Sequence, residues 1–175
     1  MSMSNYRNDR QRPGGGGGQP QQQPYQSSKQ LPVDAPIKFY RDAEKTKLDP
    51  EIFSNRAEKD AEKFGTEKFD DKVKELTSAQ LRRFFGEMKG YYQRWRNQGK
   101  SEEAFDILLP LVKMMKSKVY YAVNLNKPKQ SKIPHSFASF LLGGIEQIKD
   151  SKDFEAFILY FEAVVGFLYG KALVR

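Results

Sequence analysis

The chain has no cysteine in 175 residues and a single histidine. The first absence excludes disulfides, thiolate metal sites and a cysteine nucleophile, and it fits a reducing compartment. The second leaves His135, directly after Pro134 where a helical pattern begins, as the lone imidazole. A histidine there reads as an exposed or capping residue, not as a base or a ligand. No apolar run reaches the roughly 20 residues of a membrane span, and the N-terminus is polar rather than signal-like. The expectation is a cytoplasmic protein with no membrane partner. Walker-type loops and nucleophile elbows are also missing. The glycine run at 14–18 has no strand and helix around it. Asp70–Asp71 and Glu102–Glu103 are neighbours in sequence, and adjacent side chains on a helix diverge instead of converging on one ion. No catalytic group, metal site or cofactor is expected.

What the chain does have is positive charge in one place. Its formal net charge is +8. Residues 77–132 carry twelve Lys/Arg against four Asp/Glu, and the 18 basic and 18 acidic residues elsewhere cancel. One-sided charge on an otherwise balanced chain is the footprint of a polyanion binder.

Residues 1–36, with GGGGGQPQQQP, hold almost no aliphatic side chains. Such a segment buries too little surface to offset its ordering entropy and reads as a disordered tail. Apolar residues recur from Ile37 onward, so 37–175 is the folded domain. Asp49-Pro50-Glu51 is a helix start, followed by a charged, weakly amphipathic stretch to Gly65 that fits a surface helix or a partly ordered arm. Thr77 and Gln80 form a capping-box pattern. After it Leu81, Phe84, Phe85, Met88, Tyr91, Tyr92 and Trp95 make an apolar stripe, and Gly99 is a C-cap. Ser101 opens a helix with Ala104, Ile107, Leu108, Leu111, Val112, Met115, Val119 and Ala122 on its apolar side. Pro110 inside it predicts a kink or a break. Pro134 starts a helix through Phe137, Phe140, Leu141, Ile145 and Ile148, where Gly143-Gly144 implies a closely packed neighbour. Asp150 or Ser151 caps the last, with Phe154, Phe157, Ile158, Phe161, Val164, Val165 and Leu168. No strand is convincing. The fold class is all-α: a single compact bundle of about five helices with a disordered N-terminal tail.

The basic residues fall beside these stripes. Arg82, Lys89 and Arg96 recur every seven residues along one edge of the second helix, and Arg83 and Arg94 flank the other. Lys113 and Lys116 share a face with Tyr120, Lys118 lies nearer the core edge, and Lys127, Lys129 and Lys132 occupy the following loop. If the two helices are antiparallel neighbours, as their short connection suggests, these cations form one continuous strip. It would hold phosphates without reading bases. The aromatics Tyr91, Tyr92, Trp95, Tyr120 and Tyr121 read mainly as core, with Tyr92 and Tyr120 the expected exceptions.

The segments LRRFFGEMKGYYQRWRNQ, FDILLPLVKMMKSKVYYAV and IEQIKDSKDFEAFILYFEAVVGFL, in that order, resemble the small subunit of type III-A CRISPR effector complexes (Csm type). The resemblance covers Ser78 to Leu168 and leaves out the tail and the charged Asp49–Glu75 stretch. It implies a helical, non-enzymatic protein, several copies of which stack in a ribonucleoprotein filament beside the backbone and large subunits. Its basic residues would line the groove where guide RNA pairs with target RNA. By position these are Arg82, Arg83, Lys113, Lys116 and Lys118. Where the family has a Gly-Arg-like turn, this chain has Asn124-Leu125-Asn126-Lys127, with Lys127 the available cation. Exposed ends of the last two helices, with Phe167, Tyr169 and Leu173, are candidate protein contacts. Two other readings stay open: a stand-alone RNA- or DNA-binding protein, and a purely structural spacer between proteins.

Overall fold

A computed structural model of the chain describes residues 1, 31, 36–69, 72–73, 75–124, 127 and 130–175. Most of the expected tail, together with Asp70, Asp71, Leu125, Asn126 and Lys129, therefore lies outside the described residues. Leu31, inside the segment assigned to the tail, is buried as part of the hydrophobic core. Ile37 exchanges two hydrogen bonds with the Gln147 side chain, at 3.1 and 3.2 Å, which pins this lead-in segment to the bundle.

Among the described residues the bundle has five α-helices. They are α1 (Ala57–Thr66), α2 (Ser78–Asn97), α3 (Glu102–Ala122), α4 (His135–Gln147) and α5 (Ser151–Gly170). The Asp49 carboxylate accepts from the Glu51 amide at 3.1 Å, and a π-helical turn, Ile52–Arg56, leads into α1. This charged stretch is no arm. Ala57, Ala61 and Phe64 are fully buried, and α1 packs along α5. Asp60 sinks with them and accepts from Arg56 at 3.1 Å and from the Tyr160 hydroxyl. Burial, then the Asp60 contact, pushes the Tyr160 phenol up. A two-residue antiparallel ladder, β1 (Lys68–Phe69) with β2 (Lys72–Val73), and an isolated bridge between Tyr40 and Leu48 leave the all-α class unchanged.

The expected caps form. Thr77 and Gln80 make the reciprocal capping box of α2, and the Ser101 and Asp150 side chains cap α3 and α5. Gly99 at φ +80° ends α2 in the left-handed conformation that favours glycine. α4 is capped in trans: the Glu67 carboxylate accepts from the His135 and Ser136 amides at 2.8 and 2.7 Å. His135 itself is half-buried, its Nε2 2.9 Å from Ser131 Oγ.

α3 runs unbroken through Pro110, which sits on its solvent side. Proline costs a helix its own N–H bond and a clash at the preceding turn. Here the flanking turns are held by Leu108, Val112 and Met115, all essentially inaccessible, so packing keeps the helix continuous. The other departure on α3 is Ile107, expected on the core stripe but 68% exposed. The buried line is Leu108, Val112, Met115 and Val119, and Ile107 lies one residue, or about 100°, off it.

The core is aromatic. Phe137, Phe140, Phe157 and Phe161 from α4 and α5 stack around Phe64 of α1 and Phe84 of α2. A second group, Tyr92, Trp95, Phe105 and Phe154, joins α2, α3 and α5. Tyr92, an expected exception, belongs to this group: it is 6% exposed and its hydroxyl donates to Glu155 at 2.8 Å.

Candidate nucleic-acid interface

α2 and α3 do pack as neighbours, yet their cations do not make one strip. They leave the bundle on three flanks. The line Arg82, Lys89, Arg96 turns toward α5. Lys89 pairs with Glu162 at 2.7 Å, and Arg82 acts on Tyr169, holding that phenol below its usual range. Arg96 lies 5.8 Å from the centroid of the Tyr92 ring. Lys113 and Lys116 turn toward α4 instead. The Lys113 ammonium donates to the Ile145 and Glu146 carbonyls at 2.8 and 3.1 Å, closing the C-terminal end of α4. Its desolvation there lowers its pKa. Lys116 pairs with Glu146.

The third flank is the seam between α2 and α3. Lys118 crosses it to Glu87, which also accepts from the Tyr91 hydroxyl at 2.8 Å. Arg83 and Arg94, on the same side of α2, are exposed and form no ion pair with a described residue. The loop after α3 returns to this seam. The Lys132 amide donates to the Ala122 carbonyl at 2.8 Å, and its own carbonyl accepts from the Gln80 side chain at the start of α2. This anchoring puts the Lys132 ammonium 4.4 Å from the centroid of Tyr121. Lys127 is exposed farther along the loop, and Lys129 lies outside the described residues.

The eleven candidate cations thus divide by what already holds them. Lys89, Lys116 and Lys118 sit in ion pairs, and Lys113 is a helix cap. Exposed pairs of this kind contribute ~0–1 kcal/mol, so a phosphate can displace the carboxylate at little cost. Removing Lys113 would instead orphan two carbonyls.

The aromatic assignments also shift. Tyr120 is exposed, as its position predicts, but so is Tyr121, at 71%. Ile107, Met114 and Tyr121 recur every seven residues and form a solvent-facing line beside the seam. That seven-residue phase was present in the sequence, one residue off the buried stripe. At the C-terminal end, Tyr169 is 43% exposed, whereas Phe167 and Leu173 pack partly against the core.

The acidic partners give the bundle an acid sensitivity. Burial raises Glu87 and Glu155, but Lys118 and Tyr91 in one case and Lys100 and Tyr92 in the other hold them below the usual value of 4.5. Asp150, raised by burial and lowered more by Lys45, lies below 3.8. A depressed folded pKa stabilises fully above the ordinary value and is lost as pH falls through the folded one. Thermal unfolding midpoints should hold above those ordinary values and drop as pH falls below them. A flat profile down to about pH 3 would contradict these pairings.

Among the described residues no group of three or more His, Asp or Glu could hold a metal ion, and no helix is long and apolar enough to cross a membrane. No curated protein and no solved structure matches the chain significantly. A model of the Csm2 Type III-A family matches residues 53–171. The match takes in much of the charged stretch around α1 that the resemblance in sequence had left out, consistent with α1 being an integral helix. It spans more than half of the 175 residues. With its helical bundle and its cationic flanks, the chain belongs to the Csm2 Type III-A family, the small subunits of type III-A CRISPR effector complexes.

Proposed function

We propose that this chain is a non-catalytic subunit of a cytoplasmic RNA-guided complex, stacking in several copies and gripping the backbone of paired guide and target RNA through its cationic α2–α3 side. Phosphate contacts carry no sequence information. They suit a complex whose specificity is delegated to base pairing. The observation that carries the reading is the seam: Arg83 and Arg94 stand exposed without an ion-pair partner among the described residues, Lys118 crosses to Glu87 between them, Lys132 is anchored at the Gln80 end, and Lys127 is exposed on the loop after α3. Arg82, Lys89, Arg96, Lys113, Lys116 and Lys129 rank behind these. The exposed Ile107 and Met114 support the stacking half of the reading, since apolar side chains in line on one helix suit a protein contact.

Affinity of the full chain for an RNA duplex should fall steeply with salt, by about 0.7 to 0.9 in log–log slope per neutralised phosphate. Arg83→Gln with Arg94→Gln should flatten that slope by about two and lower the unfolding midpoint only slightly, through the lost attraction of Arg83 to Glu87. Lys113→Ala should do the reverse, lowering stability by about 1 kcal/mol with little effect on the slope. A salt-independent affinity, or an unaltered slope in the double variant, would sink the reading in favour of a structural spacer.

A further inference from the structure

The seam holds one feature that phosphate binding does not use. Tyr121 is the most exposed aromatic ring among the described residues, at 71%, and it stands at the basic end of α3. Lys132 lies over the ring at 4.4 Å. That lysine is not a loose surface cation. Its amide and carbonyl are both fixed, by Ala122 and by Gln80, so its backbone position is set before any ligand arrives. Lys132 forms no ion pair with a described residue, and neither does Arg83.

We propose that Tyr121 and Lys132 form a nucleotide-binding subsite, in which the phenol ring stacks an unpaired RNA base and the ammonium holds the adjoining phosphate. The proposal rests on the function proposed above and adds a base contact to it. An exposed aromatic ring beside cations is the combination that binds single-stranded nucleic acid without sequence preference, because every base has a π-face. With Lys132 against one side of the ring, the high exposure leaves the rest open to a base. The cation also polarises the aromatic system, and fixing it in advance reduces the ordering cost of binding. A bare ring in an acidic or neutral setting would favour a protein partner. Here Lys132 stands against the ring, and the other described ionic groups placed on the seam, Arg83, Arg94 and Lys118 with Glu87, are net positive.

The test uses the full chain and two short single-stranded RNAs of equal length, one with all its bases and one abasic at its centre. The unmodified chain should bind the complete strand more tightly. Tyr121→Ala should weaken that binding roughly five- to a hundredfold, with the salt slope unchanged. It should also erase the preference over the abasic strand, whereas Tyr121→Phe should retain both. Lys132→Ala should reduce the salt slope by about one. At its exposed position Tyr121→Ala should leave the unfolding midpoint where it was. If the unmodified chain binds the duplex but neither single strand, this subsite alone falls; if it binds no RNA of either kind, the phosphate-binding reading falls with it. If it binds both strands equally and Tyr121→Ala changes nothing, only the base contact falls. Loss of self-association in Tyr121→Ala with intact RNA binding would overturn the proposal too, by assigning the ring to a contact between copies.

Discussion

Phe161→Ala should destabilise the bundle by about 3–5 kcal/mol, a large fraction of the roughly 5–15 kcal/mol that holds a domain folded. Phe161 is fully buried at the point where α2, α4 and α5 meet. Its ring lies 5.1 Å from Phe85, 5.3 Å from Phe140, 6.0 Å from Phe157 and 6.1 Å from Phe137, centroid to centroid. Truncation removes the transfer energy of the ring and leaves a void that four stiff aromatic neighbours cannot fill by changing rotamer. The loss of edge-to-face contacts adds to this, at roughly 0.5–1.5 kcal/mol per pair. Urea unfolding followed by circular dichroism measures the effect. A loss below about 1 kcal/mol would mean that the cluster collapses around the hole. Phe161→Leu should recover part of the loss, since it restores volume without the ring.

Gly144→Val is expected to cost about 3 kcal/mol or more, beyond the ordinary range for overpacking. A Cβ built at Gly144 would lie 2.0 Å from Cε2 of Phe157 and 2.6 Å from its Cζ, so α4 and α5 touch through this glycine. The ring cannot retreat, because it packs on Phe140 and Phe161. Helix propensity pulls the other way: replacing a helical glycine by alanine stabilises by up to about 1 kcal/mol where space is free. Gly86 and Gly90 of α2, with nothing within 4 Å of a built Cβ, supply that control. Alanine at those two positions should raise the unfolding midpoint, and alanine at Gly144 should lower it. Equal signs at all three would remove the close approach of α4 and α5 from the account.

The glycine pair shows how much of the fold was readable in advance. Two glycines inside an apolar helical pattern imply a tight neighbour, and Phe157 is that neighbour for Gly144. The caps at Thr77, Ser101 and Asp150 were equally legible, because each depends on residues within one turn of chain. The stripes of α4 and α5 needed only their own period. What local pattern could not supply was the neighbour on each flank. The sequence lines up Arg82, Lys89 and Arg96, but it does not say that Glu162 and Tyr169 of α5 face them. Nor does it say that the end of α4 absorbs Lys113.

The same division explains the aromatic residues. Tyr92 and Tyr121 both stand among basic residues on amphipathic helices, and both carry a polar tip on an apolar body. Tyr92 is core because α5 supplies Glu155 for its hydroxyl and Phe154 for its ring. Tyr121 is surface because no helix covers that side of α3. By itself the sequence determined the class of fold, the caps of α2, α3 and α5, the clustering of charge on the middle third and, by resemblance, the family. The fold class and the caps follow from periods and cap residues that a short stretch of chain carries alone. The tertiary structure decided which cations are held by carboxylates or helix ends, and which ring meets solvent. Both depend on side chains brought together from distant parts of the chain, and no local period records those meetings.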